Sequence, residues 1–299
     1  MNFRGTFTAL VTPFRDGAFD ENAYEQLIKW QIESGVSGIV PVGTTGESPT
    51  LDHAEHNRVI EIAVKTARAN DAKNSRCKVI AGTGSNSTAE AISLTQEAAR
   101  AGADAALLVA PYYNKPTQEG LFRHFKAIAE NTKLPLILYS IPGRCGIEIS
   151  VETTARLARE CENIVAIKEA GGSVERVNQL RAALPESFDI LSGDDPLTLP
   201  FMACGAVGVI SVASNIIPRE IVQMVNLILD GDISGARSLH YKFYQLFKHL
   251  FLETNPVPIK TALAWAGRIA PELRLPLCEM SDANQRTLLA TLRELNLVK

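Results

Sequence analysis

The chain has 299 residues, 46% hydrophobic and 21% charged, with a formal net charge of -3. That apolar share is ample for one large core, and the absence of a long basic run speaks against nucleic acid or an anionic membrane as a partner. No apolar stretch approaches the ~18 residues of a membrane span, and the five scattered cysteines, Cys77, Cys145, Cys161, Cys204 and Cys278, form no C-x-x-C pair of a disulfide framework or structural zinc site. Reduced thiols and an N-terminal apolar run too short for a signal sequence predict a cytoplasmic protein.

In chain order, short apolar runs alternate with amphipathic patterns, as in a parallel sheet of βα units. The predicted strands are Thr6–Val11, Gly38–Val42, Lys78–Ala81, Ala105–Ala110, Leu136–Ser140, Val165–Lys168, Phe188–Leu191 and Val207–Val212. Between them, apolar residues recur at helical spacing, as in Tyr24, Leu27, Ile28 and Ile32, or Leu121, Phe125 and Ile128. Asp20, Thr50, Ser87, Thr117 and Ser173 are the predicted helix caps. Eight such repeats predict an α/β fold, a closed (β/α)8 TIM barrel over residues 1–231. An open nucleotide-binding sheet fits less well. Ser87 stands where a G-x-G-x-x-G begun at Gly82 needs its third glycine, and Gly43-Thr44-Thr45-Gly46-Glu47 lacks the lysine of a P-loop. After an eighth helix at Ile221 to Leu229, residues 232–299 read as a three-helix extension with little core of its own, bracing the barrel or meeting other subunits.

Active sites of such barrels lie at the C-terminal ends of the strands, which makes Lys168 the residue to explain. It closes the run Ile164-Val165-Ala166-Ile167, where desolvation disfavours an ammonium. The plain explanation is a salt bridge to Glu169 or Asp194. The chemical one is a neutral amine that attacks a carbonyl, which needs the pKa to fall from ~10.4 by roughly two to three units. Around it the other strand ends bring Thr44, Thr45, Tyr112, Tyr113, Tyr139, Arg144 and Gly193: a nucleophile, phenols for proton traffic, and hydroxyls and a guanidinium for carboxylates.

Six segments occur in the order and barrel positions of one family: GTTGE from Gly43, Pro111-Tyr112-Tyr113-Asn114, Tyr139-x-x-Pro142-x-Arg144, Ile167-Lys168-Glu169, Ser192-Gly193-Asp194-Asp195, and Asn255 to Lys260. Together they resemble the dihydrodipicolinate synthase family, within the wider pyruvate-lysine aldolase superfamily, over essentially the whole chain. The resemblance implies condensation of pyruvate with L-aspartate 4-semialdehyde for lysine and diaminopimelate biosynthesis, without metal or organic cofactor. It implies a pyruvate Schiff base on Lys168, the pyruvate carboxylate held by Thr44 and Thr45, Thr45 also in a proton relay, and Tyr139 as acid and base. It further implies Tyr113 entering the site from a neighbouring subunit of a dimer of dimers, Arg144 on the semialdehyde carboxylate, and Gly193 and Ile210 lining the site.

Phenols suit that traffic if hydrogen bonds and nearby charge lower their pKa. N-acetylneuraminate lyase and 2-keto-3-deoxy sugar acid aldolases share the lysine and tyrosine, but Arg144 favours a second carboxylate substrate. Ser140 and Cys145 replace the asparagine and threonine often found there. A non-catalytic keto-acid-binding barrel is the reading from another class, and retention of Lys168 and Tyr139 weighs against it. The resemblance also implies an inhibitory L-lysine cleft at Ser48, His53, His56, Asn86, Glu90 and Tyr112. Two plainer readings stand beside it: Ser87-x-x-Glu90 is a capping-box pattern, and the two histidines, one helical turn apart, read equally as solvated residues.

Overall fold

The computed structural model describes residues 2–70 and 77–299. Eight parallel strands close into a barrel: Gly5–Ala9, Gly38–Val40, Lys78–Gly82, Ala105–Val109, Leu136–Ser140, Ile164–Glu169, Asp189–Ser192 and Gly208–Ser211. Each pairs with the next in chain order and the eighth returns to the first, Gly5 opposite Gly208. Side chains alternate along every strand. Phe7, Val40, Ile80, Leu107, Ile137, Leu191 and Ile210 fill the barrel interior, while Ile39, Val79, Leu108, Leu138, Ile167 and Val209 pack outward under the helices. Counting on by two from the interior residues Ala166 and Ile137 puts Lys168 and Tyr139 on the inner face at the open end.

Four of the five predicted caps hold, at Asp20, Ser87, Thr117 and Ser173. Thr50 is not one. The helix His53–Ala69 is capped by Asp52 in a reciprocal box with Glu55, because the carboxylate two residues later completes the three-residue spacing to a glutamate. Thr50 closes the short 3-10 turn Ser48–Thr50 instead, its hydroxyl donating to the Glu47 carbonyl. The first strand stops at Ala9 rather than Val11, and the seventh runs one residue later than expected. Between the first strand and first helix lies an unexpected two-residue hairpin, Phe14–Arg15 with Ala18–Phe19, turned by Asp16 and Gly17 at positive φ.

The extension forms three helices, Ile233–His249, Val257–Trp265 and Asp282–Glu294. Phe243, Leu246, Phe247, Ile259, Leu263, Leu288 and Leu292 join the same apolar cluster as the outer faces of the barrel strands, so the core runs without a break past residue 231. No helix among the described residues is long and apolar enough to cross a membrane.

Candidate active site

Lys168 is 6% exposed, and its Nζ lies 4.1 Å from the centroid of the Tyr139 ring, its partner across the neighbouring strand. The alternation that turns Lys168 inward turns Glu169 outward, where Arg176 Nε donates to it at 2.8 Å. Glu169 is therefore committed elsewhere, Asp194 makes no ion pair with the amine, and the salt-bridge reading of Lys168 fails on both named partners. Desolvation instead pushes the ammonium down to about 7, with the Arg144 charge adding and Asp195 opposing. Asp195 is itself buried and fixed, Oδ2 accepting the backbone N–H groups of Val212 at 3.0 Å and Ala213 at 2.9 Å. Gly193 is small for a reason visible here: a Cβ would sit 3.0 Å from Lys168 Cε and 2.7 Å from Ala170 Cβ. Ile210 closes the floor from the eighth strand, buried among the interior side chains.

Thr44 and Thr45 lie on the 3-10 turn Thr44–Gly46, which follows the second strand. The turn begins after Val42 at φ 49 and ends at Glu47 at φ 53, conformations costly for side chains with a Cβ and typical of functional turns. The two hydroxyls go to different partners. Thr45 Oγ1 accepts from Asn255 Nδ2 at 3.0 Å, whereas Thr44 acts on the Tyr139 phenol, favouring its ionised form. The expected lowering of the phenol pKa is not found: Arg144 and Thr44 both pull it down, but burial outweighs them, and Tyr139 stays a neutral donor.

Arg144 sits on the helical turn Pro142–Cys145 after the fifth strand, with Nη2 donating to the Asn255 carbonyl at 3.1 Å. It lines both a cavity of ≈ 390 Å³ containing Thr44 and Tyr139 and a groove bordered by Gly193, Asp194 and Lys248. Burial lifts the Asp194 carboxyl to about 6. Tyr113 takes no part in either space within its own chain. It is 92% exposed at φ 72, held outward on the loop after the fourth strand.

Ser48, His53, His56, Glu90 and Tyr112 line the ≈ 390 Å³ cavity together with Thr44, Tyr139 and Arg144, so the residues expected at a substrate site and those expected at a lysine cleft open into one space. Asn86 braces its edge, Nδ2 donating to the Tyr112 carbonyl at 3.2 Å. Glu90 is not spent as a capping-box side chain, because its carboxylate accepts from Ser85 and pairs with His53 at 2.9 Å, while the Ser87 N–H goes to Ser85. His56, buried, bonds the Gly82 carbonyl at 3.0 Å. His56 is thus not a solvated residue, whereas the His53 side chain stays largely exposed beside Glu90.

The model of the Dihydrodipicolinate synthetase family matches residues 2–295. The chain belongs to this family. A 4-hydroxy-tetrahydrodipicolinate synthase of Thermodesulfovibrio yellowstonii is 53% identical over 297 residues, covering 99% of this chain and 100% of that one. The structure of the 4-hydroxy-tetrahydrodipicolinate synthase of Methylacidiphilum fumariolicum SolV superposes with a TM-score of 0.96 at 54% identity, covering 99% of this chain and 96% of that one. The family's enzyme from Cyanidioschyzon merolae, solved with lysine bound, is 41% identical with a TM-score of 0.94, covering 99% of both chains. Within a dihydrodipicolinate synthetase barrel, the residues that sequence reasoning left without a role are Glu47, Asp195 and Asn255. All three stand in segments already singled out, but pattern does not say which side chain of a turn faces the ligand and which faces its support.

Proposed function

We propose that the chain is a 4-hydroxy-tetrahydrodipicolinate synthase that condenses pyruvate with L-aspartate 4-semialdehyde through an imine on Lys168. The observation that carries this is a buried amine, depressed to about 7 and free of any ion pair with Glu169 or Asp194, standing over a neutral phenol in the mouth of the barrel. The neutral amine adds to the ketone carbon of pyruvate and passes one of its own protons to the oxygen, which takes a second from Tyr139 and leaves as water. The resulting cationic imine makes the methyl group acidic. Loss of one methyl proton to the Tyr139–Thr44 pair gives an enamine, whose carbon bonds to the aldehyde carbon while the aldehyde oxygen takes up a proton. Attack of the semialdehyde's own amine on the imine carbon then closes the ring and releases Lys168.

Thr44 and Thr45 suit the pyruvate carboxylate, and the Arg144 fork suits the carboxylate of the semialdehyde. Tyr113, turned away from its own site, suits the relay of a neighbouring subunit in a dimer of dimers. Glu90, with its carboxylate off the helix cap, supplies an anion for the ammonium of an inhibitory lysine. Inhibition that persists undiminished in Glu90→Gln would remove that assignment. The cytoplasm is the compartment this biosynthetic role fits.

The deciding assay follows pyruvate consumption with aspartate semialdehyde, N-acetylmannosamine or a sugar aldehyde as the acceptor. Consumption with the semialdehyde, abolished in Lys168→Ala, is the expected result. Consumption with a sugar aldehyde alone would move the protein to the lyases and sugar-acid aldolases.

A further inference from the structure

The turn that carries Thr44 and Thr45 is held from behind by a segment more than two hundred residues away in sequence. Asn255, 5% exposed and just ahead of the helix Val257–Trp265, donates its Nδ2 to Thr45 Oγ1 at 3.0 Å. Its own backbone carbonyl accepts from Arg144 Nη2 at 3.1 Å. Further along, Lys260 Nζ donates to the Thr12 carbonyl at 2.9 Å and pairs with Glu47, both side chains almost wholly buried. Thr12 Oγ1 in turn donates to the Gly46 carbonyl at 2.7 Å. Thr45, Gly46 and Glu47 are thus each held by a group from elsewhere in the chain.

The bond to Thr45 differs in kind from the other two, because a hydroxyl has one proton to give. When Asn255 donates into its lone pair, that proton remains for another acceptor. A carboxylate is acceptor-only, so a threonine that binds one must donate to it. We propose that Asn255 is a positioning residue for the keto-acid carboxylate: its amide fixes Thr45 as a donor facing the substrate. Asn255 does not touch the reacting atoms. This rests on the pyruvate site proposed above, in which Thr45 contacts the substrate carboxylate. The same residue fixes the Arg144 guanidinium through its main chain, so the extension supports both anion-binding groups at one point.

The experiment is a double-mutant cycle between Asn255→Ala and Thr45→Val in the full-length protein, read as the pyruvate KM, kcat and the half-saturation of borohydride trapping by pyruvate. Asn255→Ala is expected to raise the pyruvate KM and trapping midpoint by about ten- to hundredfold, the worth of one hydrogen bond to a charged group, with kcat within about threefold. In the Thr45→Val background it is expected to add nothing. A KM rise that persists in that background, or a fall in kcat with KM unchanged, would overturn the assignment and leave Asn255 a packing residue. The cycle repeated with Asn255→Asp, which keeps the volume, covers the case in which the alanine variant does not fold. There, an effect on KM equal in both backgrounds would overturn it. Absence of any trapped adduct in the unaltered protein would instead contradict the pyruvate site itself, so the two failures are distinct.

Discussion

Lys168 turns a burial cost into reactivity. Its pKa is depressed from the ordinary lysine value to about 7, so below about 7 the native chain holds a buried ammonium, whereas between about 7 and the ordinary value the unfolded chain binds a proton that the native one releases. Stability contributed by this group therefore rises with pH across that window and is least below it. The reactive amine follows the same titration. Imine formation at subsaturating pyruvate is expected to rise about tenfold per pH unit below 7 and to level off above it, measured by rapid-quench borohydride trapping. A profile still climbing toward pH 10 would show an ordinary, ion-paired lysine. Lys168 and Tyr139 were legible in the sequence because a period of two assigns every second residue of a buried strand to the interior. The bond from Asn255 to Thr45 was not, since the partner of a hydroxyl on a 3-10 turn is set by a segment far away in sequence. Nor was the direction of the Tyr139 shift, which depends on whether burial or neighbouring charge is larger.

At the scale of elements, the GTTGE turn is held by the buried Glu47–Lys260 pair, with Lys260 also 4.3 Å from the centroid of the Phe14 ring. Breaking such a pair from one side leaves an uncompensated buried charge. Lys260→Met is expected to cost about 3–5 kcal/mol in denaturant unfolding, and Glu47→Met with Lys260→Met to recover most of it. Equal losses in the single and double variants would show that packing, not charge, holds the turn. The eight strands and most caps were readable because short apolar runs and cap spacings are local signals. The hairpin at Phe14–Phe19 escaped because two-residue strands are too short to show a period, even with Asp16-Gly17 marking the turn. The Glu47–Lys260 contact spans most of the chain, and nothing local in either segment names the other.

For the whole molecule, the continuous core past residue 231 makes the extension part of the barrel's support rather than a separable unit. The exposed Tyr113 raises the question of the assembly. If it completes a neighbour's site, then Tyr113→Phe and Lys168→Ala, each impaired alone, should regain turnover when unfolded and refolded together, because a hybrid pairs an intact lysine with an intact partner tyrosine. No recovery on mixing would confine Tyr113 to its own chain. Fold class and the residues around the mouth could be read from one sequence because the barrel puts all its strand ends on one rim. Assembly could not, since a surface tyrosine and a shared one look alike in sequence. The most direct test of the central claim is borohydride reduction with pyruvate followed by peptide mapping. A single pyruvate-derived adduct on the peptide containing Lys168, protected by no other ligand than the keto acid, is the expected result; an unmodified Lys168 peptide, or an adduct on another lysine, would contradict it.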